Sequence, residues 1–209
     1  MTTFYLVRHG DTAWNREWRY RGQVDLPLDA IGIAQARATA DALAGAQLSA
    51  VFASPLKRAF NTAELIANRA GLTARPLPDL LDINYGAWQG LTRAEAQAAT
   101  PELFARWASA PHLVRFPDGE SLDDVRARAM RGLLGVAELY PNGRVCLVGH
   151  MIVNGVLLCA VLGLGNDAIW RITQDTCCIN IFRYDAARYR FIIDRLNDTH
   201  HLQQVQISA

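Results

Sequence analysis

Two histidines follow apolar segments of the sequence in a pattern that would place both at one edge of a sheet. Arg8 and His9 come directly after the apolar residues 4–7, and His150 follows the apolar residues 145–148 after one glycine. Both segments are typical of buried parallel strands, whose carboxyl ends meet at the ligand-binding edge of an α/β sheet. A neutral imidazole at that edge could attack a phosphorus atom. Alternatively, either histidine alone could simply hydrogen-bond to the backbone at a strand end.

A third apolar segment, residues 50–53, leads into a helix that begins with a basic pair. Ser54 and Pro55 predict the N-cap and first position of this helix, which puts Lys57 and Arg58 in its first turn. Cations are unfavourable at a helix N-terminus by up to about 1 kcal/mol each, so a bound anion would compensate for both. The alternative is that both side chains point into water. Guanidinium groups beside imidazoles favour a phosphoryl group as the anion.

These groups would also tune the chemistry of His9. The charges of Arg8 and Arg58, together with the second imidazole, would lower the pKa of His9 and keep it unprotonated as a nucleophile. They would also stabilise the equatorial phosphoryl oxygens during transfer. No group of Asp and Glu residues with metal-ligand spacing accompanies them in the sequence, so we expect no metal ion and no cofactor.

Apolar runs alternate with longer amphipathic segments, which predicts repeated strand–helix units. Asp29 is the predicted N-cap of one helix, and Ser121 with Asp124 forms a predicted capping box for another. The predicted fold is α/β: a three-layer sandwich with a mostly parallel sheet, helices on both faces, and residues 77–120 as an insertion over the carboxyl edge. We expect residues 1–209 to form one domain. The predicted helices span residues 29–43, 54–69, 121–139 and 152–162, and the predicted strands span residues 4–7, 50–53, 145–148, 178–184 and 190–193.

The composition argues against several classes of partner. A net charge of +1 over 209 residues gives no general attraction to nucleic acid or to an anionic membrane. No apolar stretch approaches the roughly 20 residues that span a bilayer, and the N-terminal segment is predicted to be a strand, not a signal peptide. The four cysteines lie in apolar surroundings without metal or redox spacing, which indicates reduced thiols in the cytoplasm. A monomer and a homodimer both remain open.

Several motifs together resemble the histidine phosphatase (phosphoglycerate mutase-like) superfamily. They extend from residue 4 to about residue 160 and follow the order of that family. The motifs are Leu6-Val-Arg-His-Gly-Asp-Thr-Ala-Trp-Asn15, Arg19-Tyr-Arg-Gly22, Asp25-Leu-Pro-Leu28, Ser54-Pro-Leu-Lys-Arg-Ala-Phe-Asn-Thr-Ala63, Tyr85-Gly-Ala-Trp-Gln-Gly90 and Gly149-His150.

The resemblance implies a role for each of the polar residues at the predicted edge. His9 becomes the phosphohistidine, while Arg8, Arg58 and His150 hold the phosphoryl group. The substrate contacts that we assign beyond these are Asn15, Arg21, Gly22, Tyr85 and Met151.

Two positions depart from the family pattern. The acid/base carboxylate, normally a glutamate, falls on Asp82, four residues before Gly86, and aspartate is shorter by roughly 1.5 Å. Alternatively, Asp82 only caps a turn, and Glu120 is then the candidate acid. Many members have a small residue after the second histidine, where this chain has Met151. That side chain either forms a wall of the pocket or packs at the start of its helix, and we expect the packing role.

The middle of the chain favours a phosphatase over a mutase. Mutases of this superfamily carry a paired arginine and a lysine there, and residues 85–93 and those that follow lack them. Residues 106–122, 175–176 and 199–202 resemble segments of the bacterial metal-independent phosphoserine phosphatases. That resemblance implies a phosphomonoesterase for small phosphorylated metabolites, with O-phosphoserine among the candidate substrates.

Two alternatives are kept. The first is a phosphoglycerate mutase, which would need a basic rim to grip its substrate. The second is a pseudoenzyme that binds phosphorylated ligands without turnover, which only the aspartate at position 82 favours. The residues that could supply the rim of a mutase are Arg21, Arg75, Arg93 and Arg115.

Overall fold

A six-stranded sheet forms the middle of the computed structural model, which describes residues 1–203 and 205. The strands are β1 (Thr2–Arg8), β2 (Ala50–Ala53), β3 (Ala74–Pro76), β4 (Arg144–Gly149), β5 (Ile179–Asp185) and β6 (Arg190–Asp198). Their order across the sheet is β3-β2-β4-β1-β5-β6. The first four strands in this order pair in parallel, whereas β5 pairs antiparallel with both β1 and β6. The sheet is therefore mostly parallel, as predicted, with an antiparallel hairpin at one edge.

The helices are α1 (Ala13–Arg16), α2 (Ala30–Ala42), α3 (Lys57–Arg69), α4 (Arg93–Ala99), α5 (Pro101–Ser109), α6 (Leu122–Leu139) and α7 (Met151–Val161). Asp29 caps α2 by accepting a hydrogen bond from the N–H of Gly32 at 2.8 Å. Ser121 and Asp124 form the capping box of α6, so both predicted helix starts are confirmed. Within the described residues, no helix is long and apolar enough to cross a membrane.

The alternation of side chains along the strands divides the core between the two faces of the sheet. On one face, Val7 of β1 packs in a cluster with Ala40 of α2 and Ile66 of α3. On the other face, Leu6 belongs to a cluster that includes Leu133 of α6 and residues of α7. Helices α2 and α3 therefore cover one face, and α6 and α7 cover the other. The predicted three-layer sandwich is confirmed.

Residues 77–120, the predicted insertion, connect β3 to α6 and contain α4 and α5, two helices that were not predicted. The buried side of this segment is aromatic, and the rings of Trp107 and Phe116 pack edge to face at 5.1 Å between centroids. Gly86 is required for this packing, because its φ is +54° and a Cβ atom there would lie 1.9 Å from the carbonyl oxygen of Pro117.

The start of α3 differs from the prediction. The helix begins at Lys57 with Leu56 at its N-cap, so Ser54 and Pro55 lie before it. The backbone N–H of Lys57 donates to Oδ1 of Asp25 at 2.7 Å. A carboxylate from a loop 32 residues earlier thus satisfies this helix end, which the local sequence could not indicate.

Two strands also differ from the prediction. β3 was not predicted, because three residues are too few to display an alternating pattern. β6 continues to Asp198, five residues beyond its predicted end, and the extension was missed because four of its five residues are polar and show no apolar alternation.

Candidate active site

The ends of β1 and β4 place the two histidines side by side. Arg8 lies opposite Gly149 in the parallel ladder, and the N–H of His9 donates to the carbonyl oxygen of Gly149 at 3.1 Å. The centroids of the His9 and His150 rings are 5.1 Å apart, and the two residues are 1% and 0% exposed. The predicted meeting of two histidines at the carboxyl edge of the sheet is confirmed.

The hydrogen bonding of His9 determines which ring nitrogen is available. Its Nδ1 lies 2.7 Å from the carbonyl oxygen of Gly10, so Nδ1 carries the proton and donates it. Nε2 then has the lone pair, and this buried atom has no partner among the described residues. Burial, followed by the charges of Arg58 and Arg8, lowers the pKa of His9 well below its ordinary value. His9 is therefore neutral at pH 7, and the free lone pair is on Nε2.

His150 has the opposite tautomer. Its Nδ1 accepts a hydrogen bond from Nε of Arg58 at 3.2 Å, and because arginine can only donate, the proton of the neutral ring must be on Nε2. That Nε2 is also buried without a partner in the part of the chain described. Burial, followed by the charges of Arg58 and His9, lowers the pKa of His150 well below its ordinary value. The pair therefore offers one nitrogen that can attack and one N–H that can donate.

The two basic residues at the start of α3 lie in different surroundings: Arg58 is in the site and Lys57 faces solvent. The guanidinium of Arg58 is fully buried and donates to the carbonyl oxygens of Gly22 and Val24 at 2.7 and 2.8 Å. Burial lowers the pKa of Arg58 to about 10, so it stays charged at pH 7. Lys57 is exposed and pairs with Asp25 at 3.4 Å. The prediction that one anion compensates both cations is therefore wrong for Lys57, whose charge faces Asp25 and water.

Arg8 is held by a buried amide network. Its Nη1 donates to the main-chain carbonyl of Gln174, while its Nε is buried without a partner among the residues described. The side-chain amides of Gln174 and Asn180 donate to each other at 3.0 and 2.9 Å. Asn180 also donates to the carbonyl oxygen of Leu6 at 3.0 Å and accepts from the N–H of Asn197 at 2.8 Å. All the hydrogen-bonding positions of the Asn180 amide are thus in use.

The same network reaches the rim of the site at Asp175. The N–H of Asp175 donates to Oδ1 of Asn197 at 2.8 Å, and Nδ2 of Asn197 donates back to the carboxylate at 2.7 Å. The β5–β6 ladder shifts register on both sides of Ile181, and such irregularities often redirect side chains beside a site. The sequence reasoning missed Gln174, Asn180 and Asn197. The available signal was an asparagine inside the apolar β5, because a buried amide needs partners.

Asp82 lies against two of the buried basic groups. Its Oδ2 is 3.5 Å from Nη2 of Arg58 and 4.0 Å from Nδ1 of His150. Burial raises the pKa of Asp82, while the charges of Arg58 and Arg21 oppose the rise. A buried carboxyl group whose pKa is raised is suited to deliver a proton. The structure therefore brings Asp82 into the site, although its role stays a prediction.

Glu120, the alternative acid, lies outside this cluster. Its carboxylate forms a bidentate ion pair with Arg128 at 2.8 and 3.0 Å and accepts from the N–H of Asn84 at 2.9 Å. It does not line the cavity beside the histidines. Arg128 also donates to the carbonyl oxygen of Asp82 at 3.1 Å, so this ion pair supports the segment that carries Asp82. Glu120 is not placed to act as the acid.

A cavity of about 1080 Å³ opens beside the cluster, with Arg8 and Asp82 in its lining. His9, Arg58 and His150 lie directly behind this lining, since Oδ2 of Asp82 is within 4.0 Å of both Arg58 and His150. Four of the predicted substrate contacts line the cavity: Asn15, Arg21, Tyr85 and Met151.

Two of these residues have donors left for a ligand. Nε of Arg21 is buried without a partner among the described residues, and burial lowers the pKa of Arg21. The Oδ1 atom of Asn15 accepts from the backbone and hydroxyl of Thr12 at 3.2 and 2.7 Å, so Nδ2 is the atom that remains to donate.

The packing role expected for Met151 needs correction. Met151 is 39% exposed and lines the cavity, so the expectation that it packs at the start of α7 is wrong. Gly22 is not part of the cavity lining, and its carbonyl oxygen accepts from Arg58 at 2.7 Å, so a substrate contact at Gly22 stays a prediction. Gly22 is still required, because its φ is +49° and a Cβ atom would lie 2.4 Å from Oε1 of Gln89.

Two of the four arginines that could supply the basic rim of a mutase do not line the cavity. Arg21 and Arg93 line it. Arg75 instead donates to the hydroxyl of Tyr140 at 2.9 Å, and Arg115 pairs with Asp124 at 2.8 Å.

Comparison with known proteins agrees with this fold. The sequence matches the family model of the histidine phosphatase superfamily (branch 1) over residues 4–199. Phosphoserine phosphatase 1 of Hydrogenobacter thermophilus is 32% identical over 209 residues, which cover 100% of this chain and 98% of that protein. The probable phosphoglycerate mutase GpmB of Yersinia pestis is also 32% identical over 209 residues, covering 97% of this chain and 95% of that protein.

A solved structure shares the whole fold. Bacillus stearothermophilus YhfR superimposes with a TM-score of 0.92 at 29% identity, covering 97% of this chain and 100% of that one. By its sequence along nearly its whole length and by its fold, this chain belongs to the histidine phosphatase superfamily.

Proposed function

We propose that the protein is a phosphomonoesterase that transfers the phosphoryl group of small metabolites to Nε2 of His9 and then to water. The opposite tautomers of the two histidines carry this proposal, since His9 offers a lone pair and His150 offers an N–H. Arg8, whose Nε has no partner among the described residues, directly precedes His9. The negative oxygens of a phosphoryl group are the acceptors that such donors bind.

In the first step, Nε2 of His9 attacks phosphorus and the bond between phosphorus and the ester oxygen breaks. The electron pair leaves with that oxygen, which takes the proton of the Asp82 carboxyl group. The raised pKa of Asp82 supports this role. The Nε2–H of His150 and the guanidinium of Arg8 bind the equatorial oxygens, whose charge must be stabilised during transfer.

In the second step, a water molecule attacks the phosphohistidine. The Asp82 carboxylate accepts a proton from that water, the phosphorus–nitrogen bond breaks, and the lone pair returns to Nε2 of His9. The carbonyl oxygen of Gly10 holds the Nδ1–H throughout, so the ring returns to the tautomer in which it started. One water is consumed for each ester cleaved.

Trapping the phosphoenzyme tests the proposal. We expect a phosphorylated substrate to label His9 with acid-labile, base-stable phosphate, and His9→Ala to lose both the label and turnover. His201→Ala is a matched control, because His201 is half-buried and lies outside the cavity lining. Labelling at another residue, or normal turnover by His9→Ala, would overturn the assignment.

The proposal includes independence from divalent metal ions. Among residues 1–203 and 205, no three His, Cys, Asp or Glu side chains are arranged to hold a metal ion. The positive charge at the site comes from Arg8 and Arg58, which remain charged because burial lowers each pKa only to about 10. Turnover should therefore persist in EDTA. Loss of turnover on chelation that magnesium restores would contradict this part.

O-Phosphoserine is the first substrate to test. The Hydrogenobacter relative that bears the name phosphoserine phosphatase 1 is similar along its whole length. Segments that first suggested this substrate contribute to the cavity through Asp175, Thr176, Thr199 and Leu202. The rate of phosphate release from O-phosphoserine should be compared with the rates for a panel of phosphorylated metabolites. The comparison shows whether O-phosphoserine is a preferred substrate.

A phosphoglycerate mutase is the second candidate, because the Yersinia pestis relative carries that name. A mutase must grip a second anionic group, and only Arg21 and Arg93 of the proposed rim line the cavity. With 3-phosphoglycerate and a bisphosphate primer, we expect phosphate release to exceed formation of 2-phosphoglycerate. Isomerisation that outpaces release would favour the mutase. A pseudoenzyme would release no p-nitrophenol from p-nitrophenyl phosphate.

We further propose that the chain forms one domain over residues 1–209 and works in the cytoplasm. Its four cysteines are buried free thiols, and burial raises the pKa of Cys178 to about 11, which makes it unreactive. Reduced thiols of this kind suit a reducing compartment. Light scattering of the purified protein distinguishes the monomer from the homodimer.

A further inference from the structure

Four aromatic rings lie in a continuous row along the cavity, and we call them the aromatic wall. They are Tyr20, Tyr85, Trp107 and Trp170, and all four line the cavity. Successive ring centroids are 5.1, 5.9 and 5.3 Å apart, and each pair meets edge to face. The rings come from four separate segments: the loop after α1, the turn before α4, helix α5, and the turn after α7.

The wall begins beside the proposed acid. Tyr85 follows Asp82 by three residues and is buried. Burial and then the charge of Asp82 raise the pKa of Tyr85 well above its ordinary value, so the phenol stays protonated next to that carboxyl group. Because Asp82 is the proposed acid for the leaving-group oxygen and both Asp82 and Tyr85 line the cavity, we expect the carbon attached to that oxygen to face Tyr85. The rest of the leaving group can then extend along the wall.

The cavity is larger than a phosphoamino acid requires. Its volume of about 1080 Å³ matches the upper end of the range of roughly 300–1,000 Å³ for pockets that hold drug-sized ligands. Nε1 of Trp170 already donates to the carbonyl oxygen of Trp107 at 3.3 Å, so this ring presents mainly its apolar surface to a ligand. The chemistry of the wall suits a flat apolar group, which aromatic side chains bind edge to face or offset.

A second flat surface in the cavity supports the same ligand chemistry. The guanidinium of Arg93 lies over the ring of Phe104 at 5.3 Å from its centroid, and both residues line the cavity. Two other arginines that line the cavity are paired with carboxylates, Arg16 with Asp29 at 2.7 Å and Arg19 with Glu17 at 2.5 Å. A guanidinium stacked on a ring presents a planar face that can stack in turn on an aromatic ligand.

We infer that the preferred substrates are phosphomonoesters whose leaving group carries a planar aromatic ring bound along the aromatic wall. The inference rests on the proposed function, because cleavage takes place at His9 and the wall selects the leaving group. Burial of one bicyclic ring should raise kcat/KM on the order of 10- to 100-fold over an equally basic leaving group without the ring.

A matched pair of esters tests the inference. 2-(1-Naphthyl)ethyl phosphate and n-propyl phosphate both release a primary alkoxide, so they demand the same acid catalysis and differ in the ring. We expect the ratio of their kcat/KM values to favour the naphthyl ester, and Trp170→Ala to lower that ratio roughly 3- to 10-fold. Trp170 is 41% exposed, so its removal spares the core. The control is Tyr189→Ala, whose side chain is 86% exposed at the β5–β6 turn and outside the cavity lining, and it should keep the wild-type ratio.

Equal kcat/KM values for the two esters, or a ratio that Trp170→Ala leaves unchanged, would overturn the inference. Calorimetry with phosphonates separates this failure from failure of the proposed function. 3-(1-Naphthyl)propylphosphonate and n-butylphosphonate carry a methylene in place of the ester oxygen and cannot be hydrolysed. Tighter binding of the naphthyl phosphonate without turnover of any ester would support the wall and refute the phosphatase. Turnover of both esters with equal phosphonate affinities would refute the wall alone.

Discussion

The phosphate end of the cavity and its aromatic end are built by different kinds of contact. At the phosphate end, each ring of the histidine pair is fixed by a directed hydrogen bond, to the carbonyl oxygen of Gly10 or to Arg58. At the aromatic end, the wall rings come from loops and short helices and meet one another edge to face. The histidines follow strands in the middle of the sheet, whereas no wall residue lies on a strand.

The difference indicates a division of labour between reaction rate and substrate choice. Proton and phosphoryl transfer need atoms fixed to within a fraction of an ångström, which directed hydrogen bonds provide. Apolar contact is much less directional, so a wall of rings can accept related leaving groups in slightly different positions. Substitutions at the phosphate end should therefore change the rate for all esters, and those at the aromatic end should change the ranking of esters.

Among the substitutions that test this comparison, the largest effect on rate is expected at Asp82. This residue lies between the phosphate end and the aromatic end of the cavity. Asp82→Asn keeps the shape but removes the proton that a basic leaving group needs. Phosphorylation by n-propyl phosphate should slow by roughly 10²–10⁴, because an alkoxide leaves poorly without protonation. p-Nitrophenyl phosphate should lose much less, since its phenolate leaves unaided. Burst kinetics measure the phosphorylation step separately from hydrolysis of the phosphohistidine.

A matched control is Asp41→Asn, which makes the same change in an exposed carboxylate that pairs with Arg69 outside the cavity lining. It should have only a small effect on either ester. Equal losses for both esters in Asp82→Asn would show that Asp82 shapes the pocket without acting as the acid.

An intermediate effect is expected at His150. His150→Gln removes the fixed Nε2–H beside the phosphoryl group and should lower kcat by roughly 10²–10³. The loss should be the same for the naphthyl and propyl esters, because this donor acts on phosphoryl oxygens and not on the leaving group. Steady-state kinetics of both esters measure it, with His201→Gln as the control. A loss confined to one ester would break the proposed division between the two ends.

The smallest effect concerns the pH dependence of stability. In the unfolded chain, His9 titrates near its ordinary pKa of about 6.5, whereas in the folded protein its pKa is well below that value. The unfolded state therefore binds more protons below about pH 6.5, and the free energy of unfolding falls as the pH drops from there toward the lowered pKa. The slope is at most about 1.4 kcal/mol per pH unit for this group.

Urea unfolding at pH 7.5 and pH 5.5 measures this slope. His9→Gln should lose less stability than the wild type on acidification, whereas Trp170→Ala at the aromatic end should lose as much as the wild type. If the free energy of unfolding changes equally with pH in His9→Gln and in the wild type, His9 is protonated within the folded protein. That outcome would contradict a lowered pKa of His9.

The central part of the fold could be predicted because its signals are local. β1, β2 and β4 are short apolar runs, and Asp29 and Ser121 are helix caps whose partners lie three residues away. The start of α3 could not be predicted, because its backbone is satisfied by Asp25 from a distant loop. The aromatic wall was missed for the same reason, since its neighbours in space lie far apart in sequence.

The site was predictable where a residue stands at a strand end or within a motif, as for His9, Arg58 and His150. Asp82 was also placed correctly, because its distance from Gly86 carries the information. The role of Gly22 in holding Arg58 was not predicted, since a hydrogen bond to a main-chain carbonyl oxygen leaves no side-chain signal in the sequence. Met151 was misjudged because the direction of a first-turn side chain depends on the space beside the helix.

The fully hydrogen-bonded side-chain amide of Asn180 also indicates where a truncation or an insertion would disturb this protein. Through Asn180 and Gln174, the outermost strand is tied to Arg8, although β6 adds no residue to the cavity lining. A chain shortened before Asn197 would remove one of the two donors to Oδ1 of Asn180 and leave the N–H of Asp175 without its protein partner. The tip of the β5–β6 hairpin, by contrast, is exposed at Tyr189 and suits an insertion. A fluorescent tag or sensor domain therefore belongs at that tip, and not in place of the last strand.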